Sequence, residues 1–61
     1  MTLTSFIRQC KPGIWVIHKT MNQEGIVMKI SASGDKALVR YEDGSVEWNE
    51  YYLLDLPTPN A

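Results

Sequence analysis

Between residues 14 and 56 the apolar positions fall into short runs with the two-residue period of a strand. The clearest run is Lys36-Ala-Leu-Val-Arg-Tyr-Glu-Asp-Gly-Ser-Val-Glu-Trp48. Ala37 to Tyr41 is rich in β-branched and aromatic residues, and Ser45 to Trp48 resumes the extended pattern, so both read as strands. Asp43-Gly44 between them supplies the positive φ that a tight hairpin needs. Upstream, Ile14 to His18 predicts a first strand and Gly25 to Ile30 a second, separated by the polar loop Lys19 to Glu24. Gly25 heads its strand, which marks a bend or a close backbone approach. Ser31 to Asp35 is the next turn, Asn49 to Tyr52 a short 3₁₀ turn, and Leu53 to Leu56 a brief fifth strand. The period changes only in residues 1–10, where Leu3, Phe6, Ile7 and Cys10 recur at helical spacing with Thr2 or Thr4 available as a cap. Ten residues do not make a stable isolated helix, so this arm lies on the domain, lies on a partner, or frays.

Five short strands with turns every few residues predict an all-β fold, a strongly bent sheet that closes on itself and so hides its edges. The expected organisation is an N-terminal arm over residues 1–10, a small five-stranded barrel over 11–56, and a Pro-containing tail over 57–61. Lys11-Pro12-Gly13 breaks the arm from the barrel. The predicted core is Val16, Val27, Ile30, either Leu38 or Val39, Val46, and either Leu53 or Leu54.

Sixty-one residues hold one domain, near the lower size limit for folding without staples. The lone Cys10 excludes an internal disulfide, and with His18 as the only histidine a structural zinc and any other metal or cofactor site are not expected. No stretch approaches the ~20 apolar residues that span a bilayer, and Met1 to Arg8 lacks the features of a signal peptide, so a cytoplasmic protein is the expectation. Size, the start methionine and one domain suggest a freestanding bacterial or mobile-element protein. Net charge is −1 but unevenly spread. All six bases lie in residues 1–40 with Glu24 and Asp35, whereas residues 41–61 carry five acids and no base. That asymmetry is either an ordinary solvated surface or a docking polarity toward a charged partner or a second copy.

Lys11-Pro-Gly-Ile-Trp-Val16, Glu24-Gly-Ile-Val-Met-Lys-Ile30, Ala37-Leu-Val-Arg-Tyr-Glu-Asp-Gly44 and the closing Tyr52-Leu53 together resemble the SH3-like barrels of the Tudor and KOW type. In those families a glycine precedes the first strand, Gly-x-Val opens the second, and an aromatic followed by acidic-Gly ends the third. The resemblance covers residues 11–56 and implies fold more than function, because this architecture hosts many activities. Tudor domains that read methylated side chains hold the cation in an aromatic cage. Tyr41 matches one cage aromatic, but the loop Lys19 to Glu24 has none, so Trp48 or Trp15 would have to supply the other wall. A weaker similarity links Gly44 to Leu54 with plasmid-borne type II dihydrofolate reductases, SH3-like barrels that assemble a tetrameric pore. There only Val46 agrees, and Glu47 puts a carboxylate where that family has a neutral amide, beside an anionic cofactor.

The aromatic residues are the main candidates for a site. Alternation points Trp15 away from Val16, hence outward, and puts Trp48 on the face of Val46, hence into the core or a cleft floor. One of Tyr51 and Tyr52 is expected to pack inward and the other outward. Tyr41, Trp48, Tyr51 and Tyr52, with Asp43 and the acids around it, would make an aromatic-acidic mouth suited to a basic peptide, with Trp15 at a partner or self-association surface. The alternative for the tyrosines is plain packing with wet hydroxyls. Lys19, Lys29, Lys36 and Arg40, with Trp15 nearby, form the alternative nucleic-acid footprint of charge plus stacking. His18 and Cys10 have no nucleophile–base partner at an interpretable spacing, so no catalytic residue is assigned. The leading expectation is a non-catalytic module that recruits a protein partner. A nucleic-acid-associated module and an oligomeric pore-type enzyme are the alternatives.

Overall fold

A computed structural model describes residues 1–57; from residue 58 on, the expected tail lies outside the described residues. The described residues form one antiparallel sheet and one short helix. Helix α1 spans Leu3–Gln9, followed by β1 Trp15–His18, β2 Gln23–Ile30, β3 Lys36–Tyr41 and β4 Val46–Glu50. A 3₁₀ turn, Tyr51–Leu53, leads into β5 Leu54–Asp55. The strand order is β4-β3-β2-β1-β5, so the last strand returns beside the first.

Two turns of one design connect the central strands. In each a glycine with positive φ closes the reversal: Gly34 at 79° and Gly44 at 88°. The Gly44 N–H donates to the Tyr41 carbonyl at 3.0 Å, and the Gly34 N–H donates to that of Ser31 at 2.9 Å. An acidic side chain secures each turn. Asp43 Oδ1 accepts from the Ser45 N–H at 2.9 Å and from the Ser45 hydroxyl at 2.6 Å. Asp35 Oδ1 accepts from the hydroxyls of Ser31 and Ser33. Both carboxyls are held below the usual carboxylate range, chiefly by the serine hydroxyls. Of the Asp43-Gly44 pair, Gly44 alone takes positive φ, while Asp43 contributes through its side chain.

Cross-strand register assigns the paired strand residues to a face, since partners share one. Val16, Val27, Ala37, Val39, Tyr41 and Leu54 point to the buried face. Val39 is therefore the core residue of the Leu38–Val39 alternative, and Leu54 that of Leu53–Leu54. Ile30 is partly buried against the same cluster. Gly25 is required by proximity: a Cβ there would come within 2.5 Å of Val39 Cγ1 and 2.7 Å of the Arg40 carbonyl. The pairing of β2 with β3 shifts between Val27 and Lys29, a bulge that bends the longest strand.

Helix α1 caps the open side of this core. Thr2 is its N-cap, its hydroxyl accepting from the Ser5 N–H at 3.2 Å. Phe6 and Cys10 are buried, and the Phe6 ring lies 6.2 Å from that of Tyr51. Leu3 and Ile7, the other half of the helix stripe, remain exposed. A seven-residue helix at the rim buries only the positions that point straight down. Burial pushes the Cys10 thiol pKa up, which keeps it in the unreactive thiol form.

Candidate functional site

Strand β4 departs from expectation. Val46 and Trp48, read as core, are each 50% exposed, and Asn49 is the β4 residue that is buried. The register explains the inversion. Trp48 pairs with Leu38 and Val46 with Arg40, which puts both on the outer face, while Asn49 pairs with the core residue Ala37. Asn49 is tolerated inside because its Oδ1 accepts a 2.5 Å hydrogen bond from the Tyr41 hydroxyl.

Tyr41 is consequently a core residue, 4% exposed, with its hydroxyl engaged. Burial, then the nearby Glu47 carboxylate, raises its pKa above the ordinary tyrosine value. Tyr51 is half-buried against the core, and Tyr52 is exposed with its ring edge-on to Tyr51 at 5.5 Å. These two lie at the opposite end of the β3–β4 hairpin from Asp43, because the Tyr51 N–H donates to the Asp35 carbonyl, just ahead of β3. The residues of the expected mouth thus divide into a buried tyrosine, a distant tyrosine pair, an acidic turn and an outward tryptophan. Between the β1–β2 loop and the β3–β4 turn lies a groove of about 430 Å³ lined by Asn22, Gln23, Glu24, Glu42 and Asp43. Its lining is polar and acidic, with no aromatic ring.

The outer face of the sheet brings other residues together. One row runs Trp15, Ile26, Arg40, Val46 across four strands; the next runs Lys29, Leu38, Trp48. Trp15 is exposed as expected from its alternation with Val16, at 50%. Ile26 and Leu38 are half-buried within these rows, and Ile17, paired with Glu24, is half-buried beyond the first row. The face therefore carries six apolar side chains, two of them tryptophans, although the core lies on the other side. Each tryptophan borders its own hollow. Trp15 shares one with Ile26 and Arg40, and Trp48 shares the other with Lys36 and Ser31. Alternation along β4 alone cannot reveal this face, because apolar residues occupy both sides of the sheet.

Charge on this face runs along the strands. Glu24, which pairs with Ile17, Asp55, which pairs with the same residue, and Glu42 lie toward one end. Lys29 and Lys36 lie toward the other, with Arg40 between them. Three of the four candidate nucleic-acid bases thus share the face with both tryptophans. Lys19 does not, since it follows β1 into the loop, where its N–H donates to the Leu53 carbonyl. His18 is buried, with Nδ1 accepting from the Met21 N–H at 3.1 Å. Among the described residues no group of three His, Cys, Asp or Glu side chains is placed to hold a metal ion, and no helix is long and apolar enough to cross a membrane. Compared with known proteins, the chain matches no protein family, no curated protein and no solved structure, so the geometry alone carries the functional reading.

Proposed function

We propose that this chain is a non-catalytic binding module on an SH3-like scaffold, and that it recruits a protein partner through the outer face of its sheet. The observation that supports this most is the half-exposed pair Trp15 and Trp48 beside Val46 on a face that the fold does not cover. A large apolar side chain kept in water without a use is unfavourable, and tryptophan is enriched where partners bury it. The charge layout defines the complement. A partner would offer an apolar centre, basic residues opposite Glu24 and Glu42, and acidic ones opposite Lys29 and Lys36. This retains the preference for a basic peptide and moves the apolar contact from the tyrosines to the tryptophans.

Selection from a displayed library of short peptides tests the reading. Enrichment of apolar sequences bearing Arg or Lys is expected, with binding lost at least tenfold in a folded Trp15→Ala, Trp48→Ala double variant. Unchanged binding by that variant would overturn it. A second reading, single-stranded nucleic acid, draws on Lys29, Lys36 and Arg40 lying among the tryptophans. It calls for an affinity for a short oligonucleotide that falls steeply with salt.

A further inference from the structure

The complement that this face requires is present in the chain itself, and we infer that the occupant of the outer face is a second copy, docked face to face with its strands antiparallel. The inference rests on the reading of that face as a docking surface, and names what docks.

Charge complementarity is the first argument. The face carries four acids and three bases: Glu24, Glu50, Asp55, Lys29, Lys36 and Arg40 by register, and Glu42 beside Arg40 in the hollow next to Trp15. Glu50 lies opposite Lys36 on the neighbouring strand and is matched within one copy. The rest are separated along the strands, acids toward the β1–β2 loop and bases toward the far end. A two-fold axis perpendicular to the strands lays the acidic end of one copy over the basic end of the other. Lys29 and Lys36 of each then face the Glu24–Glu42 end of its neighbour. Parallel docking would instead stack like charge on like, which suppresses the wrong arrangement. An isologous contact of this kind closes at two copies and does not propagate.

Area is the second argument. A tryptophan at half exposure leaves roughly 100 Å² of surface, so Trp15 and Trp48 together offer about 200 Å². Val46 and the visible parts of Ile17, Ile26 and Leu38 bring the apolar total to roughly 400 Å², the range of patches that mark interaction sites. A standard interface takes ~800 Å² from each partner, about half of it apolar. The apolar centre and the charged rim of one outer face meet that requirement without a contribution from any other surface. Sheets stack in this way at ~10 Å, and the hollow beside each tryptophan leaves room for a facing side chain.

The test is light scattering over a concentration series on three proteins: the wild type, a K29E/K36E variant and an E24K/E42K variant. The wild type is expected to move from 7.0 kDa toward twice that mass as concentration rises. Each charge-reversed variant, folded by circular dichroism, is expected to need at least tenfold more protein to associate. In each of them the reversed end meets an end of its own sign. An equimolar mixture of the two variants is expected to regain the wild-type association, since every contact in the mixed pair is again between opposite charges. A merely structural effect of the substitutions would not be repaired by mixing. Failure of the mixture to recover association overturns the antiparallel arrangement. A wild type that stays at 7.0 kDa up to ~1 mM overturns self-docking altogether, because affinities weaker than millimolar do not sustain a specific dimer. If such a monomer still loses peptide binding with Trp15→Ala, Trp48→Ala, the face belongs to a different protein. If it does not, the docking reading fails as well.

Discussion

Replacing Tyr41 by phenylalanine removes one hydroxyl and little else, so it isolates the buried pair that lets Asn49 sit in the core. Tyr41 and Asn49 are 4% and 8% exposed, and their side chains meet at 2.5 Å. The Tyr41→Phe variant would leave Asn49 Oδ1 without that donor in a site closed to water, at a cost of about 1–3 kcal/mol. A 61-residue domain has roughly 3–9 kcal/mol of total stability, so the loss is a large fraction of it. For a domain of this size each 1 kcal/mol moves Tm by about 4–8 °C, which places the expected drop at about 4–24 °C. Asn49→Leu should cost a similar amount, because it strands the phenol instead. The double variant removes both polar partners, so it should be more stable than the sum of the singles by about 1 kcal/mol or more. Urea unfolding followed by tryptophan fluorescence measures all three. A Tyr41→Phe variant within about 0.5 kcal/mol of wild type, on the ~1 kcal/mol scale of a typical hydrogen bond, or strict additivity in the cycle, would refute the buried-pair argument. Alkaline titration gives an independent check. Burial, then Glu47, raises the folded pKa, so this contribution is complete below the ordinary tyrosine pKa of ~10 and is lost as pH rises through the folded value. Wild type should therefore lose more stability above that pH than Tyr41→Phe.

Three further outcomes are expected. Gly25→Ala should destabilise by about 1–3 kcal/mol, since the added methyl meets the Arg40 carbonyl at 2.7 Å and backbone must shift to admit it; thermal melting decides, and a neutral result would mean that the sheet yields freely there. Trp48→Ala should cost well under the ~3–5 kcal/mol of a core aromatic truncation, because half of the side chain is already in water; a core-sized loss in denaturant unfolding would return Trp48 to the interior. Asp35 and Asp43 have depressed folded pKa values, so the stability they contribute is complete above the ordinary carboxylate pKa of ~3.9 and disappears as pH falls through the folded values. An Asp35→Ala, Asp43→Ala double variant should accordingly lose less than wild type between pH 6 and pH 2 in melting experiments.

Local chemistry was enough to place most of the elements. The extended runs Val16-Ile17, Ile26-Val27 and Leu38-Val39 are stiff at χ1 or bulky, and they could only be strands between the glycine turns. Gly25 announced a close approach, which the 2.5 Å distance to Val39 makes concrete. The helix was readable from Leu3, Phe6, Ile7 and Cys10, but not which of them would be covered, because that depends on where the 3₁₀ turn brings Tyr51. The face of β4 was not readable at all. Val46 and Trp48 look like core by apolarity and Asn49 does not, and only pairing with Leu38 and Ala37 reverses them. Alternation tells which residues share a face, never which face is covered, and the ambiguity is complete when both are apolar. The same limit applies to Tyr41. An aromatic at the end of a strand is equally suited to a cage wall or a core. Contacts with residues distant in the chain decided for the core: Gly25 beneath it, His18 6.4 Å away and Asn49 on its hydroxyl. Strand positions follow from short-range sterics and hydrophobic period, which the chain carries residue by residue. Burial follows from cross-strand register and from what the helix covers, and these exist only once the chain has folded.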